Sequence, residues 1–145
     1  MTLLKIARSP APTVSADTSV QDSVAKMVEV GVGAVVIVDE EEEIKGIFTE
    51  RDVMERMAAK CLPCDTTKVG EVMSSRVEVA HLDTNPSEAL SIMDSHHFRH
   101  LPIVDDHGKV LGMLSVRHLL HRMVEDLSQE LEALDSYVSA DGPGG

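Results

Sequence analysis

The strongest constraint on the fold of this chain is an internal repeat. Shifting the sequence along itself by 66 positions places residues 17–57 over residues 83–123 without a gap. Ten of the paired positions carry the same residue, and eight of the others exchange one apolar residue for another. This agreement indicates the duplication of one structural unit. The identical pairs are Asp17/Asp83, Thr18/Thr84, Met27/Met93, Ile37/Ile103, Val38/Val104, Asp39/Asp105, Gly46/Gly112, Arg51/Arg117, Arg56/Arg122 and Met57/Met123.

Each copy opens with the same local signals. A short extended segment comes first, at residues 13–16 in the first copy and 77–82 in the second. The first copy then has Ser19 three residues ahead of Asp22, which is a capping signal for a helix start. The second copy has Asn85 at the matching position. Both copies are therefore predicted to follow their first strand with a helix.

Two apolar runs follow each predicted helix. Residues 34–38 and 44–48 form one pair of runs, and residues 100–104 and 110–114 form the other. Polar residues separate the members of each pair, which is typical of a β-hairpin. A helix start follows each hairpin directly. The prediction is a mixed α/β (α+β) fold with the order βαββα occurring twice.

The last helix is predicted to continue beyond the repeat. Its apolar residues are spaced alternately four and three apart, a pattern that pairs helices in coiled coils, although it is shorter than a secure coiled-coil signature. This pattern, which we call the apolar seam, predicts a contact between two subunits. Residues 139–145 are predicted to be a disordered tail. The seam consists of Leu120, Val124, Leu127, Leu131, Leu134 and Val138.

Charge and composition exclude several classes of function. The formal net charge of -12 disfavours nucleic acid as a partner, because phosphate backbones are bound by clustered lysine and arginine. No stretch reaches the roughly 20 apolar residues that cross a bilayer, and residues 1–12 lack a secretory signal. A cytoplasmic protein without a membrane partner is expected. The sequence shows no nucleophile beside a base and no Gly-rich phosphate loop, so no catalytic residue and no required cofactor are predicted.

Cysteine and histidine raise two alternatives. Cys61 and Cys64 have a spacing found in redox and zinc sites, but they lie in a linker, which favours a surface loop with two reduced thiols over a thiol enzyme or redox switch. Several histidines cluster in the second repeat, but their spacing does not match a zinc-binding signature. No metal site is therefore predicted. These histidines are His96, His97, His100, His118 and His121.

The helix start after the first hairpin is a candidate binding site. Unpaired N–H groups at a helix N-terminus attract anions, and Thr49 and Asp52 lie on that first turn. A carboxylate there can accept both hydrogen bonds from a ribose diol. Thr-x-x-Asp is also a capping box that stabilises a helix without any ligand. The two roles are compatible.

Three segments carry a resemblance to a known family. Residues 46–52 (GIFTERD), 98–105 (FRHLPIVD) and 112–115 (GMLS) resemble paired cystathionine beta-synthase (CBS) domains, the regulatory unit also called a Bateman module. The resemblance extends from about residue 5 to residue 123. It implies that residues 1–64 form CBS repeat 1 with its linker, and that residues 65–138 form CBS repeat 2 with an extended C-terminal helix. The two repeats would pack through their small sheets with pseudo-twofold symmetry.

The resemblance also implies a function. An adenosine nucleotide of the AMP, ADP or ATP class would bind between the repeats, and a homodimer would signal in trans to an unidentified regulated protein. The alternatives are a sensor of S-adenosylmethionine or NAD, and a dimerisation or interaction module whose clefts stay empty.

The family pattern places the ligand in the first cleft. The ribose would lie at Thr49 and Asp52, the adenine beside Ile47 and the opening strand of repeat two, and the phosphate near Arg99 and His100. The ligand-binding residues implied are Ile47, Thr49, Asp52, Val77, Val79, Leu82, Phe98, Arg99, His100, Leu101 and Pro102.

The second cleft departs from the family pattern. His118 occupies the position of the expected aspartate, and imidazole cannot accept two hydroxyl donors as a carboxylate does. Gly33 and Ala34 match Arg99 and His100 and offer a phosphate no charge. We expect this cleft to be weaker or empty. Its residues would be Thr13, Val14, Gly33, Ala34, Met113, Ser115 and His118.

Overall fold

The structure, a computed structural model, describes residues 2–140 and the side chains of residues 2–138. Two three-stranded sheets with their helices form two similar units, which confirms the predicted repeat of βαββα. The first part of the chain comprises α1 (Leu3–Ile6), β1 (Thr13–Val14), α2 (Val20–Val30), β2 (Ala34–Val38), β3 (Ile44–Thr49), α3 (Glu50–Asp52), a π-helical continuation of α3 (Val53–Ala58) and α4 (Val69–Val72). The second comprises β4 (Ala80–His81), α5 (Pro86–His96), β5 (His100–Val104), β6 (Val110–Ser115) and α6 (Val116–Ala140).

The two sheets have the same topology. β1 pairs with β2 in parallel and β2 pairs with β3 in an antiparallel hairpin, and β4, β5 and β6 repeat this order. Each hairpin also has a register shift at the same repeat position, between Ile37 and Val38 and between Ile103 and Val104. The two repeats therefore share the order of their strands and also the same irregularity in the pairing of their hairpins.

The predicted caps are present at both central helices. The Ser19 hydroxyl accepts a hydrogen bond from the N–H of Asp22, and the Asn85 side chain accepts one from the N–H of Glu88. Both helices end in a left-handed residue, which is Gly31 in α2 and His97 in α5. Glycine adopts this conformation without steric cost, whereas a histidine there carries backbone strain.

Two predicted boundaries differ from the structure. The opening strands are shorter than expected, because the chain turns after Val14 with the N–H of Thr18 bonded to the carbonyl of Ser15, and residues 77–79 run without strand pairing before β4. The helix α6 includes Ser139 and Ala140, where the sequence predicts the start of a disordered tail. The remainder of the predicted tail lies outside the described residues.

The units exchange short segments. α1 precedes the first repeat in sequence, yet Leu3 lies in the core of the second unit, where the chain also pairs through a bridge between Arg8 and Met113. α4 follows the first repeat and packs into the core of the first unit. The short helix before the first repeat thus completes the core of the second unit, and the short helix before the second repeat completes the core of the first. Neither core is therefore contiguous in sequence.

The two units pack through their sheets. A third apolar cluster joins Ala34 and Val36 of β2 to Met113 of β6, and all three side chains are almost fully buried. This contact confirms the predicted packing of the repeats. Among residues 2–140, no helix is both long and apolar enough to span a bilayer.

Candidate functional site

A cavity of about 480 Å³ lies where the two repeats meet. One wall is the end of β3 with the helix start that follows it, a second is the linker at residues 74–78, and a third is the turn from α5 into β5. Side chains from both halves of the chain thus line the same cavity. The residues that line it are Ile47, Thr49, Glu50, Arg51, Asp52, Met54, Arg56, Ser74, Arg76, Val77, Glu78, His96, His97, Phe98, Arg99 and His100.

The structure brings most of the predicted first-cleft residues to this cavity. Those on its walls are Ile47, Thr49, Asp52, Val77, Phe98, Arg99 and His100, and those outside it are Val79, Leu82, Leu101 and Pro102. The ligand-binding role of the last four stays a prediction, and these residues do not line the cavity.

Local structure explains these four exceptions. Successive side chains of a strand point to opposite faces, so Leu101, next to His100 in β5, enters the core of the second unit. Pro102 is buried and lies opposite Met113, further along the strand. Leu82 follows β4 and is exposed, and Val79 is half-buried away from the lining.

The predicted capping box forms at the helix start. The Asp52 carboxylate accepts hydrogen bonds from the N–H of Thr49 at 3.0 Å and from its hydroxyl at 3.2 Å, both through Oδ2. The N–H of Asp52 in turn donates to the Thr49 hydroxyl at 3.4 Å. Asp52 is only 9% exposed, yet it lines the cavity. Capping and a cavity-facing position therefore coexist, as the sequence allowed.

Arg56 is a cavity residue that sequence reasoning did not assign. Its guanidinium lies 3.4 Å from Asp52 Oδ1 and donates to the carbonyls of Val72 and Met73 at 3.0 Å. The arginine thereby fastens the linker wall of the cavity to the helix start. Its identity with Arg122 was the available signal, but Arg122 instead pairs with Asp126 on its own helix.

We expect Arg56→Met to lower the free energy of unfolding by about 1 kcal/mol. Hydrogen bonds from a charged group are worth about 1.5–3 kcal/mol, and partial exposure of this guanidinium reduces that value. Urea denaturation measures the change. Arg51→Met, at an exposed neighbouring position, is the control and should stay within about 0.5 kcal/mol of the wild type. Equal losses in both variants would contradict the fastening role.

The cavity is richer in cations than the protein as a whole. Four arginines line it, at positions 51, 56, 76 and 99, beside three acids, Glu50, Asp52 and Glu78. The chain carries only 13 lysines and arginines against 25 acids. A locally cationic pocket in an acidic protein favours an anionic ligand.

His100, on the cavity wall, is held in its neutral form. Burial lowers the pKa of its imidazole, the charge of Glu50 opposes this effect, and Arg99 and His118 add to it. In the free protein at neutral pH, His100 therefore offers a hydrogen bond rather than a positive charge.

A stacked pair borders the pocket on the side of α5. The rings of His96 and Phe98 lie 5.3 Å apart and nearly parallel, and His96 Nε2 is 3.3 Å from a carboxylate oxygen of Glu78. His96 Nδ1 lies 2.9 Å from the carbonyl of Ile92. This network fixes the position of Phe98, a flat apolar surface on the cavity wall.

The residues of the predicted second cleft lie elsewhere. Ala34 and Met113 are buried in the contact between the sheets, and Glu50 fills the space above Gly33, where an added Cβ would lie 2.1 Å from its carboxylate. The Ser115 hydroxyl accepts a hydrogen bond from the N–H of His118, which repeats half of the Thr49 and Asp52 box. The cavity described above does not reach this region, in which Thr13 and Val14 form β1.

The remaining candidates are also located. Cys61 and Cys64 are free and exposed on the loop before α4, as predicted. Within residues 2–140, no three His, Cys, Asp or Glu side chains are arranged to hold a metal ion.

Comparison with known proteins agrees with this architecture. The CBS domain family matches the chain twice, over residues 4–59 and 69–125. Two βαββα units with a cleft between them define a tandem binding module, and this chain belongs to the CBS domain family. The mitochondrial CBS domain-containing protein CBSX3 of Arabidopsis thaliana is 30% identical over 126 residues, which cover 84% of this chain and 61% of that protein. The chain thus spans about three fifths of this relative.

Solved structures share the fold. A crystal structure of the CBS domain protein NE2398 superposes with a TM-score of 0.77 and 28% identity, covering 86% of this chain and 98% of that one. The AMP complex of the CBS domain protein PAE2072 from Pyrobaculum aerophilum has a TM-score of 0.73 and 20% identity, covering 81% and 89%. The CBS domain pair of MJ0100, in complex with 5'-methylthioadenosine and S-adenosylmethionine, has a TM-score of 0.77 and 21% identity, covering 87% and 98%.

Proposed function

We propose that this chain is a regulatory sensor that binds an adenosine nucleotide of the AMP, ADP or ATP class in the cavity between its repeats. The observation that carries the proposal is the cavity itself, in which Asp52 of one repeat faces Arg99 of the other. Its volume of about 480 Å³ lies in the range of small-ligand pockets. The AMP complex of the related fold is consistent with this class of ligand.

The proposed placement follows the chemistry of the walls. The ribose diol donates to Asp52, whose two oxygens offer about four lone-pair sites, of which the capping box and Arg56 use only part. The adenine lies between the apolar side chains of Ile47 and Val77. The phosphates face Arg99, beside which His100 supplies a hydrogen bond.

A ligand in this position acts as a brace between the repeats. It contacts the first repeat through Asp52 and the second through Arg99, so it stabilises whichever relative placement of the units closes the cavity. The binding energy can shift a partner protein only by the difference in affinity for two placements. We propose that this chain signals to a regulated protein in trans, as a cytoplasmic homodimer, and that it performs no catalysis of its own.

S-adenosylmethionine is the second candidate ligand. Its sulfonium is cationic, and Glu50 and Glu78 supply negative charge on the cavity wall. The arginines favour phosphates instead. The charge of the ligand is therefore what distinguishes the two candidates.

Calorimetric titration of the full chain tests the proposal. AMP, ADP, ATP, NAD and S-adenosylmethionine are titrated separately, and at least one of the first three is expected to bind more tightly than the sulfonium compound. Preference for S-adenosylmethionine or NAD would reassign the ligand. If none of the five compounds binds, the result would favour a module whose clefts stay empty and which acts only through protein contacts.

The affinity for ADP should depend on pH through His100. Because burial holds the pKa of His100 below its ordinary value of 6.5, and a bound phosphate favours the imidazolium, binding takes up a proton. Affinity should therefore rise about threefold as pH falls from about 7.5 to about 6. Calorimetry at both values measures this change.

His100→Gln is the control for the pH effect. Glutamine keeps a hydrogen bond donor but does not titrate, so the rise in affinity should disappear. Protonation of the phosphate itself, with a pKa of about 6, acts equally on both proteins. Identical pH profiles for the variant and the wild type would rule out the role of His100.

A further inference from the structure

The cavity between the repeats opens onto a groove of about 340 Å³ between α5 and the start of α6. Four residues line both the cavity and the groove, and we call them the junction. They are Arg51, His97, Phe98 and Arg99. His100 lines the cavity alone. A ligand whose far end leaves the cavity beside His100 would therefore meet the junction next.

The arginines of the cavity hold more hydrogen-bond donors than a single phosphate can use. Within residues 2–138, the arginine side chains that form hydrogen bonds or ion pairs are those of Arg56 and Arg122. Arg51, Arg76 and Arg99 thus keep their donors free on the cavity wall. A phosphate group presents three acceptor oxygens, and one guanidinium can engage two of them at once. One phosphate therefore cannot engage all three arginines in this way.

The backbone of His97 is strained where a glycine would not be. His97 ends α5 with φ 57° and ψ 34°, in the left-handed region. The matching residue of the first repeat is Gly31, with φ 78° and ψ 33°. Glycine adopts this conformation without steric cost, so the turn itself does not call for a histidine. A strained side chain that lines a cavity points to a role in binding.

We propose that the junction is a subsite for the second and third phosphates of a nucleoside polyphosphate, so that this chain senses ADP and ATP in preference to AMP. The inference rests on the proposed function, whose ligand it narrows. The first phosphate stays beside Arg99 and His100, and the second reaches Arg51. The third reaches His97, which lies furthest from His100 along the turn from α5 into β5. Its imidazole can donate a hydrogen bond to a phosphate oxygen.

Beyond the junction the groove does not suit phosphate. Its remaining lining consists of four apolar side chains and one acid, and a carboxylate repels a phosphate. The favourable contacts for phosphate therefore end at the junction, and a longer phosphate chain would gain nothing from the groove. The remaining lining residues are Leu90, Met93, Asp94, Val116 and Leu120.

Calorimetric titration of the full chain with AMP, ADP and ATP, in buffer with EDTA at one pH, tests the subsite. ADP should bind about fivefold more tightly than AMP, and ATP about threefold more tightly than ADP, since each phosphate adds partly exposed contacts with charged or polar groups. Equal affinities for the three nucleotides would overturn the subsite and leave the nucleotide sensor intact. Binding by none of them would overturn the proposed function together with the subsite.

Arg51→Met tests the contact with the second phosphate. The variant should lower the ratio of ADP affinity to AMP affinity by about fivefold. Arg117→Met is the matched control, because it removes the same charge from the equivalent position of the second repeat, where the side chain is exposed and lines neither the cavity nor the groove. The control should keep the wild-type ratio. Equal changes in the two variants would show an effect of net charge and would overturn the subsite.

His97→Gly separates a contact with the third phosphate from a structural role. The variant should lower the ratio of ATP affinity to ADP affinity by about threefold. Its midpoint of urea denaturation should rise, because glycine relieves the left-handed strain. A structural role alone would weaken ADP and ATP alike. That outcome, or a wild-type ratio in the variant, would overturn the assignment of His97 to the third phosphate.

Discussion

Asp52→Ala is expected to weaken the binding of the adenosine nucleotide by about tenfold or more. The carboxylate lies on the cavity wall in the first turn of α3, where it can accept hydrogen bonds from a sugar diol. A tenfold loss corresponds to about 1.4 kcal/mol, within the range of a charge-assisted hydrogen bond. Calorimetric titration of the variant with the nucleotide that binds the wild type measures the loss.

The matched control for this variant is His118→Ala. His118 occupies the equivalent position of the second repeat, and it does not line the cavity between the repeats. Its removal should change the affinity by less than about twofold, because its side chain does not line the cavity and its exposed charge reaches the site only as a screened effect on His100. Equal losses in the two variants would contradict the assignment of the ligand to the first cleft.

A loss of affinity in Asp52→Ala has a second possible cause. Asp52 also caps α3, so its removal lowers stability by about 1 kcal/mol through the lost cap alone. Asp52→Asn separates the effects, because the amide oxygen can still cap the helix while it accepts fewer hydrogen bonds from the diol. This variant should keep most of the stability and still lose affinity.

The elements that local pattern determines were predictable. Apolar runs bounded by polar residues gave both hairpins, and the side chains of Ser19 and Asn85 act at the helix starts where their spacing placed them. These signals depend on neighbours within a few residues. They need no knowledge of how distant segments pack.

The candidate site was predictable only in part. Thr49 and Asp52 follow from a local pattern, and the family resemblance supplied the opposite wall with Phe98, Arg99 and His100. The linker residues Ser74, Arg76 and Glu78 were missed, as was Arg56. Their position depends on where the linker crosses the sheet, which is a long-range contact that the spacing of residues does not encode.

The exchange of α1 and α4 between the units was likewise not predictable. A four-residue helix carries little periodicity, and its apolar residues fit either core equally well by composition. One signal was nevertheless present in the repeat, because Gly46 and Gly112 are identical. The structure explains both, since each lies where an incoming segment crosses the last strand of a sheet.

Gly46→Ala is expected to destabilise the protein by about 2 kcal/mol. A Cβ at this position would lie 2.4 Å from Met73 Sδ and 2.9 Å from the carbonyl oxygen of Ser74. The sulfur can move, but the Ser74 backbone is held by its bonds with Ile47 at 2.9 Å in both directions. Overpacking of this kind costs about 1–3 kcal/mol. Urea denaturation measures the loss.

Gly112→Ala is the matched variant in the second repeat. Its added Cβ would lie 3.0 Å from the carbonyl oxygen of Arg8, which two bonds to Met113 hold in place, and 3.0 Å from a methyl carbon of the flexible Leu4 side chain. Neither contact is as close as the contact with Met73 at Gly46. The loss of stability should therefore be smaller than for Gly46→Ala. A larger loss in Gly112→Ala would contradict the geometry of the crossing segments.

The same pair of variants separates stability from binding. The segment that packs against Gly46 continues into Ser74, Arg76 and Val77 on the cavity wall. The segment that packs against Gly112, residues 4–8, does not line the cavity. At a temperature where both variants remain folded, Gly46→Ala should bind the nucleotide more weakly and Gly112→Ala should bind it as the wild type does. Because the close approach that holds the sheet together also positions the linker wall, one methyl group at Gly46 acts on both the fold and the site.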